Sequence, residues 1–263
     1  MLTFSLLHRG KMSVAKKNQL TQSDMKKVFF FLLASVMVMQ VVAQKEINDP
    51  NAQVRNVKDF HAIKVSSAID LYLSPANEEA VVVSAAEIKW RDKIRTVVED
   101  GVLKIYLDQQ SWSWWGNTGS KKLKAYVNFK SLDKLSASGA CDVRVTGTIK
   151  SDELLIHISG ASNFRGDIDV NSLTIDQSGA SDATISGKAS SVYAEASGAS
   201  DLKAFDLQTQ KCRARASGAS DIKISVNNEL NARASGASGI SYKGQPVIKE
   251  MHSSGASSVN KRS

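Results

Sequence analysis

Four aspartates, Asp142, Asp182, Asp201 and Asp221, each stand immediately after a small-residue motif, Ser-Gly-Ala-Ser or, ending at Cys141, Ser-Gly-Ala-Cys. Asn163, Gly239 and Ser258 hold the same place after three further copies. Carboxylates brought to one edge at strand spacing, about 5 Å, repel one another, and a Ca²⁺ ion taking oxygen ligands would relieve that repulsion. The same residue types also serve a corner without any ion, because Asp and Asn tolerate unusual backbone torsions and bond nearby N–H groups. The flanks lack the glycine-rich nonapeptide of calcium-binding solenoids, so the corner reading comes first, and Ca²⁺ is the one cofactor the pattern leaves open.

A second cluster is Ser111-Trp112-Ser113-Trp114-Trp115-Gly116, which holds three of the four tryptophans beside Gln109, Gln110 and Asn117. Trp112, Trp114 and Trp115 could stack on sugar rings, since Trp joins a flat apolar face to a polar N–H. Trp112 and Trp114 also alternate, which suits a plug at the end of a narrow core. Hydrolytic chemistry has less support. A serine nucleophile needs one local base and one oriented partner, whereas the motif serines recur seven times with neither. Beyond the N-terminus the histidines are His61, His157 and His252, and there is no HExxH, nucleophile elbow or phosphate-binding glycine loop. Arg213, Arg215 and Arg233 near Glu195 read as a solvated face with charge pairing between neighbouring turns. No catalytic residue is assigned.

These residues are positioned by a repeat. The motif begins at Ser138, Ser159, Ser178, Ser197, Ser217, Ser235 and Ser254, at intervals of 21, 19, 19, 20, 18 and 19 residues. Five, three and one residues before each motif lie mostly apolar columns: Leu154, Leu173, Val192, Cys212, Leu230; Ile156, Ile175, Ala194, Ala214, Ala232; Ile158, Gln177, Ala196, Ala216, Ala234. Asp176, Glu195, Arg213, Arg215 and Arg233 alternate with them, which is the period of a half-buried strand. Val143, Phe164, Ala183, Leu202, Ile222 and Ile240 head a second inward column after the motif. A coil of this size cannot offset its own ordering entropy, so coils must stack, and the pattern predicts an all-β parallel β-helix, or β-solenoid, with coils of about 19–20 residues. Cys141 and Cys212 then lie three turns apart, about 14 Å along the axis, too far for a disulfide.

The rest of the chain divides around this body. Met25-Lys26-Lys27, the apolar run from Val28 to Met39 and Val41-Val42-Ala43-Gln44 have the order of a signal peptide over 25–44, too short for a membrane span. Residues 1–24 read as an over-extended start and 45–59 as a linker. One domain is expected over 60–259, with divergent coils at 60–135, a short helix near Glu87 to Ile94, and the Ser-Gly-Ala-Ser repeats at 136–259. Residues 1–44 hold six of the 34 Lys and Arg and one of the 26 Asp and Glu, so the net charge of +8 falls to +3 beyond them. With no Lys/Arg cluster, a nucleic acid partner is not expected.

Val65-Ser-Ser-Ala-Ile-Asp70-Leu, Asp100-Gly101-Val-Leu-Lys-Ile105, Leu132-Asp-Lys-Leu135 and the iterated Ser-Gly-Ala-Ser-Asp resemble the auto-transporter adhesin "head GIN" domain family over about Phe60 to Val259. The resemblance implies a right-handed β-helix, a location in the periplasm, at the outer surface or outside the cell, and a presumed role in adhesion, with no catalytic residues. The expected function is thus an exported, non-enzymatic adhesin-like binding or structural module of the bacterial envelope, its partner a glycan or protein of the envelope or host. A β-helical carbohydrate-active enzyme and a periplasmic envelope-stress scaffold or sensor are the alternatives.

Overall fold

The computed structural model describes residues 49–108 and 121–263. They are nearly all strand and form a β-solenoid of about 7 turns. The tryptophans Trp112, Trp114 and Trp115 lie outside the described residues, as does the expected signal peptide.

The repeat coils are the simplest part. Each consists of one long, bent strand: β9 (Asp142–Ile158), β10 (Asn163–Gln177), β11 (Asp182–Ala196), β12 (Asp201–Ala216) and β13 (Asp221–Gly236). Each pairs in parallel with the next over nearly its whole length. The four-residue motif is the corner that closes one coil and opens the next. All fifteen residues of the columns before the motif are buried, Ala194, Ala214, Ala232 and Gln177 completely, so the alternation read from sequence is the inward and outward alternation of the strands. Coils with an extra residue absorb it at irregularities between Arg165 and Asp167, Thr184 and Gly187, and Ala204 and Gln208, away from the corner.

The corner explains the motif position by position. Gly160, Gly179, Gly198 and Gly218 have φ between +75° and +79°, which glycine adopts without steric cost. A Cβ on Gly198 would also sit 2.5 Å from the carbonyl oxygen of Gly179 in the preceding coil. Backbone therefore rests on backbone, and Ala180, Ala199 and Ala219 donate their N–H groups to the glycine carbonyl of the coil before at 2.7 Å. The last motif serine points inward: Ser162, Ser181, Ser200, Ser220 and Ser238 are buried. Ser220 Oγ lies 2.8 Å from the Ser217 carbonyl oxygen and 2.9 Å from that of Ala196. These hydroxyls brace the corner. Cys141 takes the same inward place in the first repeat, and Cys141 and Cys212 are both free and buried.

The N-terminal part departs from simple coiling. Sequence order gives β1 (Gln53–Arg55), β2 (Ala62–Val65), β3 (Asp70–Pro75), β4 (Ala80–Ser84), α1 (Ile88–Arg91), β5 (Ile94–Glu99), β6 (Val102–Leu107), β7 (Lys124–Phe129) and β8 (Lys134–Ala137). The turn β2–β3 is flanked on one side by β8–β9 and on the other by β6–β7, all in parallel. The chain thus lays down its second parallel turn on the outer side of its first. Beyond β6–β7 the direction reverses: β4 runs antiparallel to β7, β5 to β6, and β1 to β4. These antiparallel strands cover the edges of β6 and β7, which would otherwise present unpaired backbone. The stretch 45–59 therefore contains a strand as well as connecting chain, and the helix is a single turn.

At the other end β14 (Gly239–Lys243), β15 (Val247–Gly255) and β16 (Ser258–Lys261) stack on β13 and β14. Ile248 and Met251 continue inward columns, yet Ile248 is 38% exposed and Met251 45%. The terminal coil has no successor among the described residues to cover these side chains.

Candidate binding surface

Stacking the coils turns each outward position into a column running along the body. After the motif, Asp142, Asn163, Asp182, Asp201, Asp221, Gly239 and Ser258 are in register as successive neighbours. Two positions on, Arg144, Arg165, Thr184, Lys203, Lys223, Ser241 and Asn260 form a parallel column. The two neutralise each other in part: Asp142 pairs with Arg144, and Lys203 Nζ lies 3.5 Å from Asp182 and 3.9 Å from Asp201. Among the described residues no three His, Cys, Asp or Glu side chains converge on a point that could hold a metal ion.

This face continues into the N-terminal turns. Tyr72 of β3 and Tyr126 of β7 stack with ring centroids 5.0 Å apart and 17° between planes, and the Arg144 guanidinium lies 5.9 Å from the centre of the Tyr72 ring. The ring faces are engaged by one another, so the strip presents phenol edges outward. Asp70 lies beside it, its carboxyl raised above the usual range by burial and then by Asp142.

The face before the motif carries a second pair of columns. Lys104, Lys64, Ser136, His157, Asp176, Glu195, Arg215, Arg233 and His252 succeed one another at one outward position. Two arginines of the stripe are tied down: Arg215 donates to Tyr193 Oη at 3.1 Å, Tyr193 donates to Glu195 at 2.7 Å, and Arg233 bonds Glu250. Sequence reading missed that Ser136, His157 and Asp176 become neighbours. His157 Nδ1 is 3.0 Å from Asp176 Oδ2. Ser136 carries no hydrogen bond to the imidazole, and with no oriented nucleophile the trio lacks what acyl transfer requires.

A concavity interrupts these flat faces. It encloses about 440 Å³ and is lined by Lys64, Ser66, Ser67, Lys104, Ile105, Tyr106, Leu107 and Asp108. Its origin is topological. The turn β6–β7 is laid on the outer side of β2–β3, which brings the ends of β2 and β6 together with the corner at Ser66 and Ser67. Ser67 and Ala68 have φ of +69° and +57°, a left-handed conformation that costs non-glycine residues about 1–2 kcal/mol each. Ile105 and Leu107 are buried beneath, whereas Tyr106 is exposed. Periodicity could not have revealed this groove, because it depends on which turns become neighbours.

With the geometry in view, relatives can be compared. The family model described as "Putative auto-transporter adhesin, head GIN domain" matches residues 59–246. The chain belongs to this family. Among solved structures, a putative adhesin from Bacteroides fragilis matches with a TM-score of 0.74 at 21% identity, covering 80% of this chain and 96% of that one. A structure described as a putative lipid binding protein from Parabacteroides distasonis matches with a TM-score of 0.65 at 21% identity, covering 82% and 98%. A putative adhesin from the same species gives 0.64 at 19%, covering 80% and 96%. At these identities the likeness is one of fold. Among curated proteins none matches. No helix among the described residues is long and apolar enough to cross a membrane.

Proposed function

We propose that this head GIN domain is an exported, non-enzymatic binding module of the bacterial envelope that engages an extended glycan or protein along a lateral face of the solenoid. The observation that carries this reading is the ladder of outward columns: like side chains recur in register along β9 to β13. A periodic surface suits a periodic or extended partner, because each added coil offers another set of equivalent contacts. Of the arginine and histidine groups that could suggest catalysis, Arg233 is held by Glu250 and His157 by Asp176 at outward positions of the coils. Catalytic acids and bases are instead placed around one reacting atom.

Export follows from the signal-like segment 25–44, with the mature chain beginning near Lys45. N-terminal sequencing of the protein recovered from periplasm and medium tests this, and a product still beginning at Met1 or Met25 contradicts it. For binding, residues 45–263 are screened on a glycan array and against envelope extracts, with and without Ca²⁺, beside a variant with Trp112, Trp114 and Trp115 changed to Ala. Binding that rises with the number of ligand repeats supports lateral engagement. Turnover of a bound polysaccharide would replace this reading with the enzyme alternative.

A further inference from the structure

We propose that the groove between the β2 and β6 turns is a subsite for one acidic sugar residue, with Lys64 as its charge-recognising group. This rests on the reading of the lateral face as a glycan-binding surface and names the class of ligand.

Lys64 and Lys104 occupy directly opposed positions on neighbouring parallel strands and point to the same outward side. Like charges so placed destabilise a sheet. Glu99 answers only one of them, since it pairs with Lys104. Asp108, the other carboxylate of the lining, is engaged by Arg95 at 2.7 and 3.0 Å. Glu99 and Asp108 are thus each already held by another cation. Lys64 has neither an ion pair nor a side-chain hydrogen bond among the described residues. Lys64 therefore offers the groove a positive charge that no carboxylate among the described residues answers, which suits a carboxylate ligand.

The remaining lining suits a polyol. Ser66 and Ser67 supply hydroxyls that, among the described residues, touch only each other, at 3.5 Å. Tyr106 adds an exposed phenol, so three groups that both donate and accept surround the cation. Ile105 and Leu107, buried beneath, close the bottom of the groove. The volume of about 440 Å³ falls in the range of small-molecule sites, about 300–1,000 Å³. The groove opens onto the column that continues through Ser136 and His157, so a chain seated there can extend along the lateral face.

The test is calorimetric titration of residues 45–263 with trigalacturonate, maltotriose and phosphatidylglycerol vesicles. Trigalacturonate should bind, weaken as salt is raised, and lose about tenfold or more in affinity in Lys64→Gln, the scale of one hydrogen bond to a charged group. Lys249→Gln, exposed on the terminal coil β15 and outside the outward columns, should leave it unchanged. Equal affinity of Lys64→Gln and the parent for trigalacturonate overturns the inference, as does vesicle binding that depends on Lys64, which would assign the charge to a lipid headgroup. If maltotriose binds and trigalacturonate does not, the acidic subsite falls while the lateral-face reading stands. If no glycan or envelope protein binds, both fall.

Discussion

The N-terminal turns and the repeat coils share columns and a continuous core, yet they are held together differently. In β2, β3, β6, β7 and β8 the inward positions are filled by Ile63, Leu71, Leu73, Leu103, Ile105, Val127, Phe129 and Leu135, all buried. Along one column this bulk dwindles: Leu103, Ile63, Leu135, Ile156 and Ile175 give way to Ala194, Ala214 and Ala232. Alanine buries little apolar area, so the hydrophobic contribution per side chain falls with it. The corners change in the opposite sense. Gly198 is fitted onto Gly179, whereas at Gly139, at the junction, a Cβ would meet only the backbone nitrogens of Ser67 and Ala68, at 3.5 and 4.0 Å. Along this column bulk holds the first region, and close backbone stacking takes a larger share in the second.

This contrast is most sharply broken by adding one methyl group at two corners. Gly198→Ala places a Cβ on a neighbouring backbone oxygen and also demands a left-handed alanine, so the denaturant midpoint should fall by the equivalent of more than about 3 kcal/mol. Gly139→Ala meets no such clash and should cost only the conformational penalty, about 1–2 kcal/mol. Equal losses at the two sites would show that stacking adds nothing to the corner. Core volume gives the next largest effect. Ile105→Ala should destabilise by about 2–5 kcal/mol as a cavity, and Ala214→Leu by about 1–3 kcal/mol as overpacking, both read from urea unfolding. An unchanged melting temperature for Ala214→Leu would mean that the thin coils have room to spread.

Smaller effects sharpen the comparison. Ser67→Gly relieves a left-handed serine at a corner built without glycine, and should stabilise by about 0.5–1 kcal/mol after the added chain entropy is counted; a loss in thermal stability would contradict this. Burial pushes the Cys212 thiol up to about 12. The native protein should therefore resist iodoacetamide at pH 8 at this position until denaturant opens the coils. The smallest effect concerns Asp70, whose carboxyl is raised by burial and by Asp142. An acid with a raised folded pKa holds its proton more tightly in the fold than out of it. Its stability contribution is therefore lost as pH rises through that window, and the full cost is present at pH 7. Asp70→Asn should raise the melting midpoint slightly at pH 7 and confer no advantage below about pH 3.9, where the unfolded carboxyl is itself protonated.

The repeat was legible because its information is local: period two within a strand, about 19 residues between corners, and glycine where the chain must turn left-handed. The columns through Leu154, Ile156 and Ile158 follow from spacing alone. Gln177 shows the limit of such reading, since a polar residue sits in a fully buried column and spends its amide on the carbonyls of Ser181 and Asp201. The N-terminal order was not legible. Placing β6–β7 outside β2–β3 is a choice between two edges of the same turn, and both edges offer the same hydrogen bonds. The groove follows from that choice, so Lys64 and Lys104 carried no mark in the sequence. The aspartates after the motif were legible as a column, but their pairing with Arg144 and Lys203 required the adjacent column to be seen.

The glycine-on-glycine corner also governs how such a molecule can change in length. Each corner fits the one before it, and every outward column depends on the same register, so a single added residue is absorbed at an irregularity away from the corner, and a longer segment is gained or lost as a complete turn. A longer cut that does not span a whole turn would bring residues of the Asp182 kind into the core. Gain or loss of a whole turn leaves the cross-section unchanged and alters reach by about 4.8 Å each time. Selection can thus adjust how far the body extends without rewriting the chemistry of its sides.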